Sequence, residues 1–412
     1  MIEFDRFTLK NGLKVIVHQD KSTPMACVNI LYDVGARDED ESKTGFAHLF
    51  EHLMFGGSIN IPNYDEPLQL VGGENNAFTT NDITNYYCTV PSENLETAFW
   101  LESDRMLSLA FTDKSLEVQR SVVIEEFKQR YLNQPYGDVW LLLRPLAFKN
   151  HPYKWATIGK EISHIETAVM GDVKEFFKKH YHPSNAIMVV AGDVELKHVK
   201  ELAEKWFEPI DAQPTTKRNL PLEQKQTESR ELTVHKDVPA NAIYKTYHMC
   251  SRLDDNYYAT DVLSDILSRG NSSRLYISLV KDKQLFSEIN AYVSGDFDPG
   301  LFVVSGKLND GIDVKVAELA IVEELEKLKN ESVSDDELQK CKNKVESSIT
   351  FSETDVLTKA TNLAISELLG DANEINNEIE KYNKVTKDKL RTVANGIFQN
   401  SNCSTLYYLK NK

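Results

Sequence analysis

Gly45-Phe46-Ala47-His48-Leu49-Phe50-Glu51-His52-Leu53-Met54-Phe55 is the stretch on which the reading of this chain turns. His48 and His52 are four residues apart. On a helix over 45–55 they therefore stand one turn above each other on one face. Two neutral imidazoles so placed can hold one Zn²⁺ at ~2.0–2.1 Å. Glu51 follows His48 by three residues and lies near the same edge. There it can reach a metal-bound water without being a ligand, which is what a general base needs. The rest of the stretch (Phe46, Leu49, Phe50, Leu53, Met54, Phe55) is apolar. Burying two histidines and a carboxylate among such side chains is costly without partners, which favours a metal over two idle surface histidines.

A catalytic zinc usually takes three protein ligands and keeps one position for water, so a third ligand must come from elsewhere. A candidate helix over 115–132 carries Gln119-Arg120-Ser121-Val122-Val123-Ile124-Glu125-Glu126-Phe127. Glu126 shares a face with Gln119, Val122 and Val123, while Glu125 lies about 100° round the helix. Spacing alone leaves the choice between the two glutamates open. The order His-x-x-Glu-His is the inverzincin signature, the reverse of His-Glu-x-x-His.

Outward from this motif, the chain is an ordinary globular sequence. It has 412 residues, 41% hydrophobic and 27% charged, enough for two or three domains and a large core. Its formal net charge of −16 disfavours nucleic-acid backbones as partners. The five cysteines are scattered and form no CxxC pair, which argues against a disulfide framework and suits a reducing compartment. No apolar run approaches the ~18 residues of a membrane span. The N-terminus does not read as a signal peptide, so the expected location is cytoplasmic, a removed leader aside.

A polar, proline-bearing segment over 211–230 reads as a linker between a first domain, 1–210, and a second, 231–412. In the first, strands are expected at 13–18, 27–34, 76–90 (a strand or hairpin) and 186–191, with helices at 45–55, 95–110 and 115–132. In the second, strands are expected at 231–235, 243–248, 287–294 and 300–307, with helices at 257–267, 271–280, 314–329 and 334–351. Ser334-Asp335-Asp336-Glu337 reads as a capping box. Strands with helices grouped between them make this an α+β fold of two related domains, each a mainly antiparallel sheet packed against helices.

Several segments together make the chain resemble the pitrilysin-type inverzincin metallopeptidases, which include insulin-degrading enzyme and the mitochondrial processing peptidase. They are Leu9-Lys10-Asn11-Gly12-Leu13, Gly45-Phe46-Ala47-His48 with Glu51-His52, Asn76-Ala77-Phe78-Thr79-Thr80 with Tyr86, and Arg120 to Glu126. His151-Pro152-Tyr153, His182-Pro183-Ser184-Asn185-Ala186 with Gly192-Asp193, and Ser272-Ser273-Arg274-Leu275-Tyr276 complete the set. The resemblance implies half of a clamshell that encloses a peptide chamber, and a zinc-dependent endopeptidase acting on unstructured peptides with one Zn²⁺ per chain. It implies zinc on His48, His52 and Glu126, with Glu51 as the base. The family's Glu-Arg-x-x-x-x-x-Glu pattern takes its register from Arg120 and selects Glu126 over Glu125. Gln119 stands where the family has a glutamate, and its support of the site is correspondingly in question. Asn76, Ala77, Phe78 and Thr79 look like the family's edge strand, which pairs with the substrate backbone.

One departure bears on partners. The family's self-sufficient members carry Leu-Arg-x-x-x-x-x-x-Tyr in the second half. Here the run is Leu279-Val280-Lys281-Asp282-Lys283-Gln284-Leu285-Phe286-Ser287, so Val280 and Ser287 stand where that pattern has arginine and tyrosine. The expectation is a heterodimer in which a homologous partner chain supplies the Arg-Tyr pair, with a homodimer as the alternative. The other functional readings are a dedicated leader- or targeting-peptide processing peptidase and a non-catalytic scaffold subunit.

Overall fold

A computed structural model describes residues 1–214 and 218–411, so residues 215–217 of the expected linker and residue 412 lie outside the described residues. The strands are β1 (Asp5–Thr8), β2 (Lys14–Gln19), β3 (Met25–Tyr32), β4 (Glu74–Thr79), β5 (Thr84–Pro91), β6 (Ala186–Gly192), β7 (Arg230–Lys236), β8 (Ala242–His248), β9 (Phe286–Val293), β10 (Leu301–Leu308) and β11 (Cys403–Lys410). The helices up to residue 206 are α1 (Phe46–Leu53), α2 (Asp65–Leu70), α3 (Leu95–Leu107), α4 (Asp113–Phe127), α5 (Val139–Ala147), α6 (Ile162–Glu166), α7 (Met170–His180) and α8 (Leu196–Trp206). Beyond the second sheet's first strands come α9 (Tyr257–Ser268), α10 (Val314–Asn330), α11 (Asp335–Ser352), α12 (Val356–Leu369), α13 (Glu378–Asn383) and α14 (Lys387–Ile397).

The mixed α+β architecture holds two sheets, a six-stranded one ordered β1-β2-β6-β3-β5-β4 and a five-stranded one ordered β7-β11-β8-β10-β9. In the first, β6 runs parallel to β2 and antiparallel to β3, and β3–β5 and β5–β4 are antiparallel. In the second, β11 runs parallel to β7 and antiparallel to β8, and β8–β10 and β10–β9 are antiparallel. The two sheets share one plan.

The chain forms two compact units that are not contiguous in sequence. The first takes Met1–Lys128, Trp155–Leu220 and Thr350–Asn377, and the second takes Gln129–Lys154, Pro221–Ile349 and Glu378–Lys412. A single division at 211–230 into 1–210 and 231–412 therefore differs from the folded grouping in two excursions, each built around one helix. In the second unit, α5 buries Val139 and Leu143 against Val238, Ala242, Leu406 and Tyr408 of the five-stranded sheet. In the first, α12 buries Ala360, Leu363 and Ala364 and lies against β3 and β6 of the six-stranded sheet. Lys359 of α12 pairs with Asp20, and Glu367 with Lys14 at 2.9 Å, tying the helix to β2 and the turn after it. Strand β6, Ala-Ile-Met-Val-Val-Ala-Gly, is buried along its whole length, as expected for a central strand covered on both faces.

Local readings differ from the folded chain where packing decides. The helix expected over 115–132 ends at Phe127 and continues as a wider π turn, Lys128–Leu132. Residues 271–280, expected as a helix start, hold another π turn, Tyr276–Asp282. At Ser334 the capping bond is present, its Oγ accepting the Glu337 N–H at 3.1 Å. Among the described residues, no helix is long and apolar enough to cross a membrane.

Candidate active site

The site is built on α1, an eight-residue helix in the first unit. Its N-cap, Gly45, has φ +87°. A Cβ there would stand 2.7 Å from the Ile158 carbonyl oxygen, so glycine is required both by conformation and by space. The helix buries Phe46, Ala47, Leu49, Phe50 and Leu53. Phe50 lies against Phe176 and Tyr181, with ring centroids 4.8 and 5.2 Å apart. This packing fixes the rotation of α1 and leaves His48, Glu51 and His52 half-buried.

The two imidazoles meet edge to face with centroids 4.8 Å apart. Glu126 reaches them from α4, which lies against α1. Its Oε2 is 3.6 Å from His48 Nε2 and 3.4 Å from His52 Nε2. Three atoms bound tetrahedrally at ~2.0–2.1 Å from one zinc are ~3.3–3.4 Å apart, so these separations fit the ion. One ligand atom from each residue lies within 4.8 Å of the others, and this is the one such cluster of histidine, cysteine or acidic residues among the described residues. Glu125 points elsewhere, mostly exposed and paired with Lys128 at 2.7 Å.

Helix α4 is held by three features. Thr112 caps its start by accepting the Ser115 N–H, Val123 and Phe127 are buried, and Arg120 donates to the Ala168 carbonyl oxygen at 2.5 Å. Val122, expected on the inward face with Glu126, is 45% exposed; the face toward the core runs through Val123 instead. Gln119 lies two turns before Glu126, half-buried, with its amide near Gly56 just beyond the end of α1.

Glu51 accepts a hydrogen bond from Thr79 Oγ1 at 2.5 Å. Thr79 ends β4, which among the described residues pairs with β5 alone and forms the outer edge of the six-stranded sheet. Asn76, Ala77 and Phe78 precede it on that strand, and Asn76 Oδ1 accepts the Ala77 N–H at 2.8 Å. The structure thus brings together His48, His52, Glu126, Glu51 and the end of β4.

Beneath β5 lies a buried group that the sequence reading missed. Arg105 and Glu102 of α3 form a fully buried pair, Nε to Oε2 at 2.9 Å. The guanidinium sits 4.5 Å over the Tyr86 ring and 4.7 Å over Tyr64, and the Tyr64 hydroxyl donates to Glu102 at 2.5 Å. Tyr86 in turn meets the Tyr181 hydroxyl at 3.2 Å. The sequence signal was weak: Glu102 and Arg105 stand three apart on α3, but Glu96 and Asp104 share that helix and nothing local marks the first two as the buried pair.

The remaining histidines take other places. His180 is buried beside Phe176, and burial, reinforced by Lys179 and Arg218, pushes its pKa down to about 3. His182 Nδ1 meets Ser184 Oγ at 3.0 Å, and His151 Nε2 is 3.4 Å from Asp298 in the second unit. In that unit Val280 packs against the main hydrophobic cluster, and Ser287 on β9 donates to the Lys307 carbonyl oxygen at 3.2 Å.

The chain is similar to known proteins over most of its length. Residues 14–159 match the family described as Insulinase (Peptidase family M16), and residues 169–345 match the Peptidase M16 inactive domain. The zinc protease PqqE of Helicobacter pylori is 34% identical over 344 residues, covering 81% of this chain and 77% of that protein. A probable mitochondrial-processing peptidase subunit beta of Arabidopsis thaliana is 26% identical over 270 residues, 65% of this chain and 50% of that one. The crystal structure of a protease from Helicobacter pylori superposes with a TM-score of 0.94 at 30% identity, covering 99% of this chain and 100% of that one. With the inactive-domain match falling largely on the half that lacks the histidine cluster, and the insulinase match on the half that carries it, the chain belongs to peptidase family M16.

Proposed function

We propose that this chain is a zinc-dependent endopeptidase acting on short unstructured peptides, and the zinc-bearing subunit of a two-chain enzyme. The observation that carries the reading is the convergence of His48, His52 and Glu126 beside a carboxylate, Glu51, held at the end of an open edge strand. His48, His52 and Glu126 would hold one zinc ion, whose Lewis acidity acidifies water and polarises a carbonyl. Glu51 takes a proton from the attacking water and delivers it to the amine as the C–N bond breaks. Thr79 holds the Glu51 carboxylate in place for both transfers. The free edge of β4 takes the peptide as an added strand through main-chain hydrogen bonds, which tolerate many sequences. Gln119, reaching from α4 toward Gly56 beyond the end of α1, would brace the helix that carries the histidines.

The two-chain arrangement is supported by Val280, whose side chain has no donor, and by Ser287, whose short hydroxyl already donates to the Lys307 carbonyl oxygen, where an arginine and a tyrosine would serve a developing oxyanion. Losing such a donor costs on the order of 10²–10³ in rate. A homologous partner chain would restore it and close the chamber around the peptide. The test is peptidase activity and zinc content of the purified chain alone, on a mixture of unstructured peptides. The expected result is one zinc per chain with turnover that is slight until the partner is added and that disappears in Glu51→Gln. Robust turnover by the chain alone overturns the two-chain part. Absence of zinc overturns the whole. Cleavage-site profiling then separates general peptide hydrolysis, with scattered cuts, from leader processing, with one preferred site.

A further inference from the structure

Helix α1 has no capping side chain of its own, because Gly45 occupies the N-cap. The first N–H groups of a helix have no partner within it, and a helix this short loses much of its order if they are left unmet. The loop before α1 supplies the answer. Glu39 is buried, 8% exposed, and its carboxylate folds back on the helix start. Oε2 accepts the Gly45 N–H at 2.9 Å and Oε1 accepts the Ala47 N–H at 2.8 Å. Ala47 immediately precedes His48, so the second bond fixes the backbone from which that imidazole projects.

The loop itself is anchored around this carboxylate. Trp155 Nε1 donates to the Ala36 carbonyl oxygen at 2.9 Å, and the Thr44 N–H donates to His164 Nδ1 at 3.2 Å. Gly159 packs within 3.3 Å of Gly45 on the far side, measured from the Cβ it would carry. Burial pushes the Glu39 pKa up to about 8, against the pull of the two backbone N–H groups. A chain that needed only a spacer there would bury an apolar side chain at no such cost. Glu39 also borders a cavity of about 420 Å³ shared with Asp38, Asp40, Lys43, Phe46 and Asp172, so water can enter the space a shorter residue leaves.

We infer that Glu39 is a positioning residue that sets the start of the histidine-bearing helix and thereby the affinity of the site for zinc. The inference rests on the zinc reading above. Groups that orient metal ligands from behind typically change affinity ~10–100-fold when removed.

The test is zinc affinity by competition with a chelator, measured on wild type, Glu39→Ala, Glu39→Gln and Leu263→Ala. Leu263 is a fully buried core residue of the second unit and controls for lost stability alone. Amide hydrogen exchange at residues 45–48 is followed in the metal-free proteins. The expected result is a ~10–100-fold weaker zinc affinity in Glu39→Ala. Glu39→Gln, which keeps the shape and one acceptor, should lose less, and Leu263→Ala should be unchanged. Exchange at Gly45 and Ala47 should rise in the same order. If Glu39→Ala does not fold, Glu39→Gln decides the matter by the same two readouts. Unchanged affinity and exchange in a folded Glu39 variant overturn the inference while leaving the zinc reading standing. A wild-type chain that binds no zinc overturns the zinc reading itself, and the affinity claim with it.

Discussion

The two units run the same strand plan to different ends. Each places a strand parallel to its first neighbour and antiparallel to the next three-strand meander, β6 in one and β11 in the other. In each, a helix follows the strand next to it: α1 after β3 and α9 after β8. Helix α1 is eight residues long, glycine-started, and leaves two histidines and a carboxylate half-buried on one side. Helix α9 is longer and buries Tyr257, Val262, Leu263, Ile266 and Leu267 in the second core, with Asp265 turned to Arg269 at 2.9 Å. The same slot in the plan thus presents a histidine cluster once and core packing once. The scaffold sets where a helix lies, and a handful of side chains decide whether it reacts.

The sharpest way to break this comparison is to disarm the first unit. Glu51→Gln should lower peptide hydrolysis by ~10³-fold or more, the upper range for loss of a general base, with zinc content intact. Stopped assays on a quenched fluorescent peptide beside metal analysis check it. The companion pair, Glu126→Gln and Glu125→Gln, should separate cleanly, the first losing zinc and the second keeping it, since Glu125 is mostly exposed.

The opposite manipulation arms the second unit. The double change Val280→Arg, Ser287→Tyr should raise the turnover of the chain alone by ~10²-fold, the value of a restored donor. No gain in a folded double variant would mean that the unit lacks more than those two groups. The partial burial of Val280 will lower its melting point, so turnover is compared at a temperature where both proteins are folded.

Acid should reveal a third difference. The folded His180 holds its pKa at about 3, below the ordinary 6.5 that it regains on unfolding. Below pH 6.5 the unfolded chain takes up a proton that the folded chain refuses, so stability falls with pH until about 3. By pH 4.5 the loss is about 2–3 kcal/mol. His180→Phe, in the aromatic company of Phe176 and with no proton to refuse, should flatten this slope. Denaturant midpoints at pH 7 and 4.5 measure it. In the second unit, His248 meets the Ala147 carbonyl oxygen at 3.0 Å, and its replacement should matter less. The smallest effect is expected from Gln119→Glu, a few-fold tighter zinc affinity, because the residue lies two turns from Glu126.

What could be read in advance divides along physical lines. The histidine helix was legible because an i, i+4 pair is a local fact, true of any helix that forms. The hairpin over 76–90 and the closing strand at 186–191 were legible from alternation and from an unbroken apolar run. The choice between Glu125 and Glu126 could not be read from spacing, since adjacent helix positions differ by about 100° and only the neighbour helix shows which direction is inward. Strand β11 and helix α12 went unread for a related reason. Cys403 to Lys410 carries no turn signal that marks it as central, and its place beside β7 and β8 comes from pairing across more than 150 residues. The polar stretch near 211–230 marks a change in composition, but composition does not record which sheet a helix will cover. Glu39 was silent too, as a glutamate in a charged loop looks solvated until the loop closes.

The placement of α12 has a consequence for how the protein is made. All strands of the six-stranded sheet have been synthesised once Gly192 has left the ribosome, yet the helix that lies on β3 and β6 begins at Val356. At typical synthesis rates that interval lasts on the order of 10 s, during which an apolar sheet face waits without its cover. Helix α5 faces the mirror problem, appearing long before the strands it packs on. A nascent chain of this kind has reason to be attended by a holding chaperone, and pausing the ribosome between the two segments should prolong that attendance.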